Sequence, residues 1–125
     1  MKLVTFLLKK LSSYFLLILV LYSYSGFSQD LIITGVFDGP LSGGTPKGVE
    51  LYATAAIADL SAYGLGSANN GGGTDGQEYT FPDDAVSAGA YIYVSSEEDK
   101  FLEYFGFSTT YTSGAMSING DDAIE

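Results

Sequence analysis

Beyond residue 30 the apolar positions recur at every second residue. In the clearest run Val49, Leu51 and Ala53 alternate with Glu50, Tyr52 and Thr54, the pattern of a strand with one face in a core. Residues 46–65 together read as a strand over 48–53, a polar corner over 55–62 with a short turn of helix, and a further strand from Tyr63. Asp59-Leu60-Ser61 makes the turn, and Leu60, Tyr63 and Leu65 carry apolar surface onward. Upstream, a first strand is expected over residues 30–37, with Leu31, Ile33 and Gly35 on one face and Ile32, Thr34 and Val36 on the other. Asp38-Gly39-Pro40 is expected to end it, because proline cannot continue a ladder and glycine permits the bend. Residues 42–46 form a loop, and the glycine-rich residues 67–76 an exposed hairpin loop with nothing to bury. Residues 77–82 make a strand with Tyr79 and Phe81 on one face, Asp83-Asp84 a turn, and residues 90–95 a strand with Ala90, Ile92 and Val94 opposite Tyr91 and Tyr93.

The period changes over residues 95–105. Ser95 with Glu98, or Ser96 with Asp99, has the spacing of a capping box, and the acids 97–99 suit the positive end of a helix. Phe101 and Phe105 lie one turn apart beside Leu102, and Gly106 is placed to cap the C-terminus. One short helix is therefore expected, covering an open end of a β-domain. Asn119-Gly120, between residues 115–118 and 121–125, predicts a hairpin.

Composition adds two points. Sixteen glycines and ten tyrosines among 125 residues suit an all-β domain with many turns. The absence of Cys and His removes disulfides, a thiolate nucleophile and the commonest metal ligand. Charge divides the chain. Lys2, Lys9 and Lys10 precede an apolar run at 14–22, and Gly26 and Ser28 stand at the −3 and −1 positions of a cut before Gln29. This is the layout of a secretory signal peptide, expected over 1–28. Its apolar run is well short of the roughly 20 residues of a membrane span, so no membrane span remains after cleavage. The rest carries two lysines against fifteen acids, a net charge of about −13. Such a surface repels phosphate backbones, so direct nucleic-acid binding is not expected.

The ordered set Leu31-Ile32-Ile33-Thr34, Gly48-Val49-Glu50-Leu51-Tyr52, Asp59-Leu60-Ser61 with Tyr63 and Leu65, residues 87–94, and Ile118-Asn119-Gly120-Asp121-Asp122-Ala123-Ile124-Glu125 resembles the lamin-tail domain (LTD) in its secreted bacterial form. The resemblance covers residues 31–125. It implies an immunoglobulin-like β-sandwich over residues 29–125 with one short helix. The family commonly has Asn where this chain has Ala53, and continues past residue 125 with a closing hairpin. The domain is accordingly expected to be C-terminally truncated and to lack its last strand. Relatives often sit in longer exported proteins beside nucleases, phosphatases or sorting domains. The resemblance thus implies a secreted, extracellular or cell-surface accessory module, not an enzyme, with a protein or polysaccharide partner. It carries over no catalytic or cofactor-binding residue. The competing expectations are the leading domain of a secreted nuclease or phosphatase, and a calcium-stabilised adhesion domain.

The candidate chemistry is sparse. Asp75, Asp83, Asp84, Asp121 and Asp122, with Glu78, are hard oxygen donors at loop tips and form the calcium candidates, although their spacing matches no EF-hand loop. Glu50 is expected to bond across strands, and Asp59 to accept backbone N–H groups as an Asx turn. Ser61 has no neighbouring base to make it a nucleophile. The glycine-rich loop lacks the Gly-Lys-Ser/Thr of a phosphate cradle. Tyr52, Tyr63, Tyr79, Tyr91, Tyr93, Tyr104 and Tyr111 are expected to line half-buried faces; an exposed row of them would be a platform for carbohydrate or protein.

Overall fold

The computed structural model describes residues 29–73 and 76–125. The signal-peptide reading of 1–28 and the candidate ligand Asp75 lie outside these residues. The fold is all-β and sandwich-like, with one short α-helix. One layer is a four-stranded sheet in the order β1-β2-β6-β7, made of Leu31–Leu41 (β1), Thr45–Ala53 (β2), Tyr91–Ser95 (β6) and Tyr111–Thr112 (β7). Two short ladders face it. Gly64–Leu65 (β3) pairs with Tyr79–Thr80 (β5), and Ser67–Ala68 (β4) with Ala123–Ile124 (β8). An isolated bridge, Ile57 to Val86, and a 3-10 turn at Leu60–Ala62 complete that layer. Between the layers Leu31, Val49, Leu51, Ala53, Ile92 and Val94 meet Ile57, Leu60, Leu65, Phe81 and Met116. A fully buried Val, Leu or Phe contributes about 1.5–3 kcal/mol of transfer free energy, so the alternating positions read in the sequence supply most of this interior.

β1 departs from the sequence pattern twice. Ile33 pairs with Leu51, Gly35 with Glu50 and Val36 with Val49, so Thr34 is an extra residue in the strand. A bulge of this kind exchanges the faces that follow it. Gly35 therefore lies on the outer face with Glu50, while Val36 joins Leu31 and Ile33 on the inner one. The strand also continues through Asp38-Gly39-Pro40 to Leu41. Proline is tolerated because β1 is the outermost strand, where a missing N–H breaks no ladder.

The helix, Glu98–Phe105 (α1), does not cover an open end. It lies on the outer face of the four-stranded sheet, against β2. The cause is topological: β6 and β7 pair in parallel, and parallel neighbours need a crossover, which residues 96–110 supply. The capping box does not form. The N-cap is Glu97 and makes no side-chain cap bond; its Oε2 accepts instead from the Lys47 backbone N–H at 3.0 Å. Ser95 Oγ donates to the Lys47 carbonyl at 2.8 Å. Gly106 caps the C-terminus with φ 79°, as its position in the sequence predicts.

The Asn-Gly hairpin is replaced as well. Residues 114–116 wind into a 3-10 turn started by Ser113, so no first arm remains. Neither Asn119 nor Gly120 takes the positive φ that a two-residue hairpin turn requires. The Asp122 N–H bonds to the Asn119 carbonyl at 2.9 Å, and β8 pairs with β4. Ser67 and Ala68, expected in a loop, thereby become strand, and Ser67 is buried.

Candidate interaction surface

The outer face of the sheet carries a second, aromatic cluster. Phe101, fully buried, is its hub. Its ring centroid lies 5.7 Å from Phe37, 5.6 Å from Tyr93, 4.6 Å from Phe105 and 5.2 Å from Phe107. Tilted and edge-on contacts of this kind add about 0.5–1.5 kcal/mol per pair beyond area burial. Gly48 makes the cluster possible: a Cβ there would stand 2.6 Å from the Phe37 ring and 2.2 Å from the Val94 carbonyl. The cluster is only partly covered. Leu102, Tyr104, Phe105 and Phe107 are all exposed at its margin.

This margin reaches the edge of β1 that no strand pairs among the described residues. A groove of about 360 Å³ runs there between Val36, Asp38 and Pro40 on one side and Tyr104 and Phe105 on the other. Val36 is 51% exposed and Ile33 39%, because the short ladders opposite do not extend over β1. Apolar side chains thus flank one strand edge from both faces of the sheet. Contiguous exposed apolar surface of this kind is the usual mark of an interaction site.

Charge surrounds it. The two lysines among the described residues are both ion-paired. Lys100 Nζ meets Glu103 at 2.6 Å on the surface of α1. Lys47 Nζ, at the end of the inner face, donates to Asp38 Oδ1 at 2.9 Å, to Asn119 Oδ1 at 3.2 Å and to the Ile118 carbonyl. With its backbone bonds to Glu97 and Ser95, residue 47 joins β1, the start of α1, the end of β6 and the C-terminal turn.

The residues singled out in the sequence have separate tasks. Glu50 Oε1 accepts from Thr34 Oγ1 at 2.8 Å across the bulge. Asp59 Oδ1 accepts from the Ser61 N–H at 2.9 Å and from its hydroxyl, which holds the carboxyl below its ordinary range. Glu78 does the same for Ser67, whose hydroxyl and N–H lower its pKa. Asp84 Oδ2 accepts from the Tyr111 hydroxyl at 2.8 Å; burial first, then this bond, push the Tyr111 pKa up to about 12. Asp122 takes the N–H of Asn70 and of Asn119, which lower its pKa with a smaller contribution from Lys47. Asp83, next to Asp84, and Asp121, next to Asp122, are exposed. Among the described residues no three carboxylates come together as a metal-holding group. Five of the seven tyrosines lie on half-buried faces, Tyr91 and Tyr104 are exposed, and Tyr52 meets Tyr91 in a tilted pair at 5.0 Å. Tyr91, 55% exposed, borders a shallow groove of about 390 Å³ beside Asp84 and Tyr111.

Sequence reasoning missed Lys47, Phe37 and Phe107. Lys47 carries a legible signal: a lone cation on a strand of an acidic chain calls for partners. Phe37 and Phe107 carry none, because the faces they occupy are set by the Thr34 bulge and by the crossover. No protein-family model matches the chain, nor does any curated protein or solved structure. Among the described residues no helix is long and apolar enough to cross a membrane.

Proposed function

We propose that the chain is a non-catalytic interaction module of lamin-tail type, exported from the cell and serving as an accessory to a larger extracellular or cell-surface assembly. One observation carries the reading: the apolar groove of Val36, Tyr104 and Phe105 exposed at a strand edge on an otherwise acidic surface, with Ile33, Leu102 and Phe107 also exposed. The carboxylates support it from the other side. Glu50, Asp59, Glu78, Asp84 and Asp122 each hold a named donor within the fold. The lamin-tail assignment rests on the ordered sequence elements, and export on the basic and apolar leader with its small-residue cut before Gln29.

The test places a photo-crosslinking amino acid at Tyr104, and for comparison at Asp83 on the connection from β5 to β6, in the native host. A discrete crosslinked partner from position 104, lost on Phe105→Ser, is the expected result. Equal labelling from both positions, or none from position 104, would remove the reading. Mass spectrometry of the released chain checks export, with Gln29 expected as its first residue.

A further inference from the structure

We propose that the edge of β1 over residues 35–38 is the docking line for an extended, cationic segment of another protein, which adds to the sheet as an extra strand and sets an arginine or lysine side chain beside Asp38 on the inner face and an apolar side chain against Tyr104 and Phe105 on the outer. The proposal rests on the interaction-module reading and specifies the chemistry of the partner.

Three features of the edge select a strand. Among the described residues β1 is outermost in the sheet, so alternate backbone N–H and C=O groups point away from β2. The bulge at Thr34 and the proline at position 40 interrupt pairing on either side. Together they leave a window of regular register at residues 35–38, matched to Glu50, Val49, Gly48 and Lys47. A short segment fits this window, whereas a long flat strand does not. Apolar groups flank the window above and below: Val36 from the inner face, Tyr104 and Phe105 from the outer. An added strand would therefore bury side chains on both of its own faces, as strand addition requires for specificity.

Charge selects the sequence of that strand. Asp38 borders the groove and keeps 39% of its side-chain surface in solvent while Oδ1 holds Lys47. Paired with Lys47, Asp38 shares the inner face with Val36, whereas the half-exposed Tyr104 lies across the sheet edge on the outer one. The exposed part of the carboxylate suits a guanidinium or ammonium on the inner face, through a charge-assisted hydrogen bond, while the rings on the outer face suit an apolar side chain. The surplus of acid over the whole surface steers a cationic segment in the same direction. It also opposes a second copy of this chain at the edge, since two such surfaces repel.

The experiment uses the purified protein and two short synthetic peptides, one alternating valine with arginine, the other valine with glutamate. Binding is followed by calorimetry, and backbone amide exchange locates it. The arginine peptide is expected to bind, to slow exchange over residues 35–38, and to weaken about tenfold when ionic strength is raised towards 1 M. Val36→Lys and Tyr104→Ser, at exposed positions where folding is checked by thermal melting, are each expected to weaken it at least fivefold. Equal binding of the glutamate peptide overturns the proposal. So does binding that leaves the β1 amides unprotected or ignores both substitutions, and so does self-association through this edge in place of peptide binding. Failure of the peptides with crosslinking at Tyr104 retained removes the cationic strand and leaves the module reading standing; loss of both removes both.

Discussion

Lys47 is the residue at which most of the chain converges. Its ammonium group is largely withdrawn from solvent and has three oxygen acceptors, one of them charged. Removing it leaves the Ile118 carbonyl and one Asp38 oxygen without their donor. Breaking a fully buried pair costs about 3–5 kcal/mol; with Asp38 part-exposed the cost falls towards that of a surface pair. Lys47→Met is therefore expected to lower unfolding free energy by about 1–3 kcal/mol in urea titrations, and Asp38→Asn by less. The titrating groups bound the stable pH range from both sides. Asp59, Glu78 and Asp122 have carboxyls held below their ordinary values of 3.8 and 4.5. Each contributes stability that is present above the unfolded pKa and lost as pH falls through the folded one, so melting temperature is expected to drop below about pH 4. Tyr111 has the opposite sign. Its pKa is raised to about 12 from an ordinary 10.0, so its contribution is complete below pH 10 and lost as pH rises towards 12. Tyr111→Phe is expected to flatten the alkaline limb of a melting-temperature profile, and Glu78→Gln the acid limb.

At the scale of elements, periodicity was a sound guide wherever a strand has one face in the core. Val49, Leu51, Ile92 and Val94 point inward as their alternation requires. It failed where an extra residue or a competing partner intervened. The bulge at Thr34 leaves no trace in hydrophobicity, yet it exchanges the faces of Gly35 and Val36. The serines at 95 and 96 had the spacing of a helix cap, but the Lys47 backbone drew both Ser95 and Glu97 away from it. Asn119-Gly120 lost its hairpin to a 3-10 turn and to the side chains of Lys47 and Asp122. Half of the candidate surface was legible, since Phe101 and Phe105 announced an apolar helix face. The other half, Val36 and Phe37, depended on long-range register. The packing under α1 can be probed directly. Gly48→Ala would force a methyl group against the Val94 carbonyl and the Phe37 ring, and overpacking of this kind costs about 1–3 kcal/mol. Phe101→Ala, which empties the hub, is expected to cost about 3–5 kcal/mol by chemical denaturation.

For the molecule as a whole, charge sets the conditions under which the fold is firm. With both described lysines already paired, the remaining carboxylates repel one another across the surface. Self-repulsion destabilises a compact state and is screened by salt. Melting temperature is therefore expected to rise as sodium chloride is added to a low-salt buffer, against the small loss from the exposed Lys100–Glu103 pair. An unchanged or falling value would show that the acids lie too far apart to interact.

The four-stranded sheet is lined on both sides, by an aliphatic interior beneath and by rings gathered around Phe101 above. A protein built this way can loosen in halves. The upper tier, held by one short crossover, can peel back while the lower tier stays shut, so its amides would trade hydrogen with solvent through a partial opening that costs less than global melting.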